Sequence, residues 1–269
     1  MIPIDAVSSL IRAASTDIIL PRFCNLAEGE ISRKDSGEIV TIADHEMEAR
    51  LAAGLTALVP GSVVVGEEAA ASDARVLDAL AGRDPVWVID PVDGTRNFSN
   101  GSACFAVIVA YCQDGEVRAG WIHDPVGGAM VTAEVGGGAW EDGKRLAVAG
   151  DVPVGEMSGT LGGKLRERTE QRRAEGDKSM PEKLVRLRCA GQQYMGLVRG
   201  KLHFSRYGIL KPWDHAAGIL IHREAGGYDA FTEGGRGRYR PEGGIVQGPL
   251  LLAPTERSWR ALEDVLSRV

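Results

Sequence analysis

Aromatic residues are scarce in this 269-residue chain, at 6%, which leaves little material for the stacking platforms that hold single-stranded nucleic acid. An excess of positive charge is missing too. Lys and Arg number 31 against 37 Asp and Glu, a net charge of −6, and that sign argues against nucleic-acid binding by phosphate neutralisation. Phosphorylated small molecules stay open, because metal ions can bring the positive charge. Cysteine is sparse and scattered. Cys24, Cys104, Cys112 and Cys189 form no C-x-x-C pair, which argues against a zinc knuckle or a disulfide scaffold and for free thiols in a reducing cytosol. The opening MIPIDAVSSLIRAAS lacks a basic start and carries Asp5 and Arg12 where a signal peptide would be apolar. No run approaches the roughly 20 apolar residues of a membrane span. The expectation is a cytoplasmic protein with neither nucleic acid nor membrane as partner.

What is present is ordinary for a globular protein: 44% hydrophobic and 25% charged residues, enough for one large or two modest domains. Ile4, Val7, Leu10, Ile11 and Ile18 recur at helical spacing, and a second helix is expected from Thr41 through Met47, Leu51, Leu55 and Leu58 to Pro60-Gly61. SVVVGEE and VWVID read as strands. CFAVIVAYC, EVRAGWIHD and AMVTAEV read as an antiparallel sheet with a hairpin turn at Asp114-Gly115. Residues 164–188 are dense in charge of both signs, the mark of a solvated helix or mobile loop. The last third alternates strand and helix, so the fold class is α/β (α+β). A soft boundary near 150 divides an N-terminal α+β part, 1–150, from a C-terminal α/β part, 151–269.

Four short stretches carry acids where chemistry could use them. In DPVDGT, Asp90 and Asp93 end a strand, Pro91 fixes the backbone, Gly94 permits close approach to a ligand, and Thr95 could open a helix with free amides. Carboxylates beside such amides suit a divalent cation with a phosphate; a capped turn explains the same letters. The aspartyl-nucleophile pattern D-x-D-G-T has one residue between its acids, and here two intervene, so that reading fails. In GEE, Glu67 and Glu68 end another strand, and alternation along a strand would send only one of them inward. In TIAD, Asp44 fits a helix capping box. In WDHAAG, Asp214 fits a helix N-cap.

Taken together and in this order, TIAD, GEE, DPVDGT and WDHAAG resemble the inositol monophosphatase family of magnesium-dependent, lithium-sensitive phosphatases. GWIHDPVGGAMVTAEVGGGAWEDGKRLAVAG resembles that family's hairpin as well. The resemblance implies a layered αβαβα sandwich, a homodimer, and a site in the crevice between two subdomains, with the first part holding most metal ligands and the second adding Asp214. It implies two or three Mg2+ ions held by Glu67, Asp90, the carbonyl of Val92, Asp93 and Asp214. It gives Gly94 and Thr95 to the phosphate, and Asp44 with Thr95 and Glu67 to an attacking water. Substrate specificity departs from the pattern. Inositol-cleaving members carry a glutamate where this chain has Tyr207, and Gly-Ser/Thr-Ala-Ala where it has Gly191-Gln192-Gln193-Tyr194. Both changes put inositol in doubt and make Gln192, Arg206 and Lys211, beside Tyr207, the expected readers of the rest of the substrate, a second anionic group included. The other specificities implied are 3′-phosphoadenosine 5′-phosphate, fructose bisphosphate and histidinol phosphate; the alternative class is a regulatory binding protein on the same fold.

Overall fold

The computed structural model describes residues 2–34, 36–232 and 237–269. Helix α1 (Ile4–Ala14) continues through one π turn, Ser15–Ile19, as the apolar spacing to Ile18 predicts. A small antiparallel pair, β1 (Ile31–Arg33) and β2 (Ile39–Thr41), leads into α2 (Ile42–Leu58). Then come β3 (Val63–Gly66), α3 (Glu67–Ser72), β4 (Val86–Asp93), α4 (Thr95–Ser99), β5 (Ala106–Gln113), β6 (Glu116–His123), β7 (Met130–Glu134), β8 (Gly138–Glu141) and β9 (Lys144–Arg145). These seven strands form one sheet in sequence order, parallel only between β3 and β4. The turn between β5 and β6 holds both Asp114 and Gly115 at positive φ, 56° and 70°, the geometry that matches strand twist in a tight hairpin.

The second sheet collects β10 (Ser158–Thr160), β11 (Lys183–Leu184), β12 (Phe204–Leu210), β13 (Tyr228–Phe231) and β14 (Val246–Ala253), in the order β11-β10-β12-β14-β13. Helices α5 (Gly163–Ala174), α6 (Ala190–Val198), α7 (Pro212–Glu224) and α8 (Glu256–Leu266) complete the chain. The charge-dense segment therefore contains α5, a loop and the short β11.

Three apolar clusters show how the layers stack. Val7 and Ile11 of α1, with Met47, Leu51 and Leu55 of α2, pack on Trp87, Ile89, Val107 and Trp121. On the opposite face of the same sheet, Val86, Val88, Ile108 and Ile122 meet Tyr194 and Met195 of α6, Ala216, Ala217 and Ile219 of α7, and Leu250 and Leu252 beyond them. Leu251 and Ala253 point outward to Leu262 and Leu266 of α8. The order is helix, sheet, helix, sheet, helix. A sheet covered on both faces has no polar side, which is why VWVID reads as an unbroken apolar run. Burying each apolar side chain contributes about 1.5–3 kcal/mol, so the central helices are fixed by packing.

Small residues set the fit of α7. A methyl on Gly120 of β6 would lie 2.9 Å from Cα of Ala217, and one on Gly218 would lie 2.1 Å from the Tyr194 ring. The helix thus lies flush against the sheet and against α6, and its first turn is carried to the end of β4.

Candidate active site

Strand β4 pairs with β5 so that Asp90 opposes Ile108 and Asp93 opposes Ala106, with a register shift between them. Three steps on β4 match two on β5: one extra residue is bulged. On a regular strand, residues three apart point to opposite faces. The bulge brings Asp90 and Asp93 to the same face, the one toward α6 and α7, while Val92 joins the core under α2. Asp93 Oδ2 accepts hydrogen bonds from Gly191 N at 2.6 Å and from Cys189 Sγ at 3.0 Å. Asp90 Oδ1 accepts from Val92 N at 3.1 Å, and its carboxyl lies beside that of Asp214.

Asp214 stands three residues into α7, after Lys211 as N-cap and Pro212 at the first position. The expected N-cap role is corrected: Pro212, free of the donor a first turn cannot use, starts the helix three residues earlier. Burial first, then repulsion from Asp93 and Glu67, pushes the Asp214 carboxyl up to about 8, with Lys211 pulling the other way. Asp90 is raised by burial and by Glu67, Asp93 and Asp214. Asp93 is raised by burial against the pull of Cys189 and the Gly191 amide.

The alternation expected at GEE is overturned as well. The strand ends at Gly66 and α3 begins at Glu67, so both glutamates leave one helical turn and both meet Lys34, whose Nζ lies 2.8 Å from Glu67 Oε1 and 2.7 Å from Glu68 Oε1. Burial pulls the ammonium down, yet Glu67 and Glu68 hold it well above its ordinary value. The turn is itself held from beneath. Glu48 of α2 accepts from Glu68 N at 2.8 Å and Ala69 N at 2.9 Å. A methyl on Gly66 would sit 2.1 Å from Glu48 Cδ, so the glycine makes room for the capping carboxylate.

Asp44 Oδ2 accepts from Thr41 N at 2.8 Å and from Thr41 Oγ1 at 2.6 Å, the capping contact TIAD predicts. Its other oxygen lies 3.1 Å from Thr95 Oγ1, which is also 2.9 Å from the Val92 carbonyl. Burial, against the Thr41 bonds, pushes the Asp44 carboxyl up to about 7. Gly94, at φ 89°, turns the chain into α4, and the amides that open a helix have no partner within it.

The structure brings Asp44, Asp90, Val92, Asp93, Gly94, Thr95 and Asp214 together, with Glu67 close enough to raise Asp90 and Asp214. Among the described residues no three acid, histidine or cysteine side chains close around one point as a finished cage. The donor set nevertheless fits a hard divalent cation: buried carboxylate oxygens whose mutual repulsion a cation would relieve. Of the expected substrate readers, Arg206 and Tyr207 border one cavity with Thr160 and Gln193, while Gln192 and Lys211 are engaged elsewhere. Gln192 Nε2 donates to Phe105 O at 3.1 Å, and Lys211 Nζ contacts Glu38 Oε1 at 2.8 Å. Tyr207 stacks on Tyr194 with ring centroids 5.5 Å apart and leans on His215 at 4.5 Å. Arg206, its strand neighbour, borders the space near Leu165 and Glu263. Lys34, Glu48, Cys189 and the Gly191 amide were not singled out from the sequence. Only Glu48 had a signal, its place four residues after Asp44 on one helix face.

A family model for the inositol monophosphatase family matches residues 3–265. The chain is 31% identical over 196 residues to a Thermotoga maritima fructose-1,6-bisphosphatase/inositol-1-monophosphatase, covering 71% of this chain and 70% of that one. It is 31% identical over 234 residues to a Mesorhizobium japonicum inositol-1-monophosphatase, covering 81% of each. It is 33% identical over 227 residues to the Nus factor SuhB of Pseudomonas aeruginosa, again covering 81% of each. Among solved structures, a Thermotoga maritima IMPase superposes with a TM-score of 0.81 at 23% identity, covering 100% of this chain and 98% of that one.

Proposed function

The chain belongs to the inositol monophosphatase family and is a phosphoric monoester hydrolase; on that premise we propose that it hydrolyses a small phosphorylated alcohol or sugar with magnesium and water. The observation that carries this reading is the bulged end of β4, which turns Asp90 and Asp93 to one buried face beside Asp214. Glu67, Asp90, Asp93 and Asp214, with the Val92 carbonyl, would hold two or three Mg2+ ions. Bound there, magnesium supplies positive charge to the phosphoryl oxygens and lowers the pKa of a water.

The remaining work falls to side chains and amides. Gly94 and Thr95 direct their amides at a phosphate oxygen. Thr95 Oγ1 orients the attacking water, passing a proton toward Asp44, which lies 3.1 Å away with its carboxyl near 7. A base titrating close to neutrality is matched to that step. Glu48 and Lys34 steady Glu67 from below and beside. No helix among the described residues is long and apolar enough to cross a membrane; the reading is of a cytoplasmic homodimer acting on a small dissolved ester.

The test is phosphate release from a panel of monoesters with magnesium, with and without lithium. Turnover is expected, lithium should suppress it, and Asp90→Asn should abolish it while the circular dichroism spectrum is kept. Full activity in that variant would refute the assignment. A second reading rests on likeness to the Nus factor SuhB proteins: a regulatory role on the same fold, which Asp90→Asn would leave intact in the cell.

A further inference from the structure

Two of the four cysteines meet beside the carboxylates of the site. Cys104 lies on the connection between α4 and β5, half-buried behind exposed Ser102 and Ala103. Cys189 is the buried N-cap of α6. Both stand over Gly94, where a methyl would lie 3.1 Å from Cys104 O and 3.2 Å from Cys189 Cβ. Asn97 ties the two segments together, its Nδ2 donating to Cys104 O at 2.6 Å and to Leu187 O at 2.9 Å. Cys104 Sγ donates to the same Leu187 O at 3.5 Å, and Gln192 Nε2 to Phe105 O at 3.1 Å. The two thiols lie beside each other, and Cys189 holds the Cys104 thiol below its ordinary value.

The sulfur of Cys189 has a second contact. It donates to Asp93 Oδ2 at 3.0 Å, alongside the 2.6 Å bond from Gly191 N. These two donors hold the carboxylate on the buried face that the bulge in β4 gives it. As a donor a thiol is weak where a serine hydroxyl would be strong. What sulfur adds is the capacity to bond to another sulfur.

We propose that Cys104 and Cys189 form a redox modification site: a peroxide closes the pair to a disulfide, a thiol reductant reopens it, and closure withdraws a donor from Asp93. Cys104, the more accessible of the two, attacks the peroxide; an S–O bond forms, the O–O bond breaks and water leaves. The Cys189 sulfur then displaces the hydroxyl of that sulfenic acid. The S–S bond forms as the S–O bond breaks, and the Cys189 proton leaves with the hydroxide as a second water. Two thiols have given up two electrons and two protons, and one peroxide has become two waters. A disulfide sulfur carries no proton, so Asp93 keeps only the Gly191 amide. Transient, redox-sensing disulfides are the kind that reducing compartments contain. The consequence for magnesium rests on the phosphatase reading above; formation of the disulfide does not.

The first measurement needs no turnover. Magnesium-free protein treated with a stoichiometric amount of hydrogen peroxide should lose the mass of two hydrogens, and non-reducing peptide mapping should join Cys104 to Cys189. The oxidised protein should then need about 10-fold more magnesium, the low end for one hydrogen bond to a charged group. Calorimetric titration and the phosphatase assay should both show this, and dithiothreitol should reverse it. Cys104→Ser should behave as the reduced wild type and ignore peroxide. Cys189→Ser keeps a donor for Asp93 and should ignore peroxide too, whereas Cys189→Ala should need the extra magnesium with or without it. Absence of a disulfide, or one joining Cys104 to Cys24, whose sulfur lies 3.8 Å from Gly101 O on the same connection, would overturn the proposal. A Cys104–Cys189 disulfide that leaves magnesium affinity unchanged would overturn the withdrawal from Asp93. The disulfide and the affinity shift, in a protein that releases phosphate from no ester, would overturn the phosphatase reading alone.

Discussion

The cap that Glu48 places under the first turn of α3 gives a prediction whose size can be worked out. Two hydrogen bonds to a carboxylate, at 2.8 and 2.9 Å, are worth about 1.5–3 kcal/mol each. Against them stand the burial of Glu48 and its repulsion by Glu68 and Glu67, which together raise its pKa despite the two amides. A net loss of ~3 kcal/mol is expected for Glu48→Ala. With an unfolding entropy near 2.1 cal/mol/K per residue, this chain of 269 residues should lose ~5 °C in Tm. Gly66→Ala should cost a similar amount, because its methyl would fall on the same carboxylate. The decisive measurement is the pair combined. All three nearest atoms to that methyl belong to Glu48, so Gly66→Ala made in the Glu48→Ala background should cost little. Calorimetric or urea melts of the four proteins give the coupling energy, and a magnesium titration should show a higher requirement in both single variants, since Glu67 leaves the same turn. Strict additivity of the two substitutions, or an unchanged Tm in Glu48→Ala, would refute this account of the turn.

Two further outcomes follow from the interior. His222 is fully buried, and burial pushes its imidazole down to about 4 from the ordinary 6.5; the unfolded chain therefore takes the proton first as pH falls. Stability from this residue is complete above pH 6.5 and declines toward pH 4, by ~3 kcal/mol at 1.36 kcal/mol per unit, and urea melts across that range should lose the dependence in His222→Phe. Gly218→Ala drives a methyl into the Tyr194 ring, an overpacking worth about 1–3 kcal/mol; it should also lower kcat by shifting Asp214, and a variant melting and turning over like the wild type would show that α7 can slide.

Much of this architecture is legible in the residue pattern because burial writes it there. Leu51 and Leu55 mark the inner face of α2, and the unbroken VWVID marks a strand covered on both sides. The acids of DPVDGT, TIAD and WDHAAG could be found as a set by resemblance, and the fold brings them together. What stayed hidden depended on where one element stops and the next begins. GEE is misjudged by alternation because the strand ends at Gly66, two residues early, and Asp214 is placed as a cap because Pro212 starts its helix sooner. Gln192 and Lys211 are polar residues near the right place whose side chains are engaged by Phe105 O and Glu38, and spacing carries no record of that. Glu48 shares a helix face with Asp44, but its capping role stays hidden because its partners are backbone amides on another element.

The bulge in β4 also sets a rule of parity. Two carboxylates share a face when the steps between them, less the bulged residue, come to an even number; here three steps less one make two. Removing one residue between Asp90 and Asp93 would therefore not yield a tighter version of the same site. With the bulge kept, it would turn one acid toward Trp87 and Ile89, among the apolar residues packed under α2. Spacing and bulge can change only as a unit, so the length of DPVDGT is a property of the sheet as much as of the chemistry it carries.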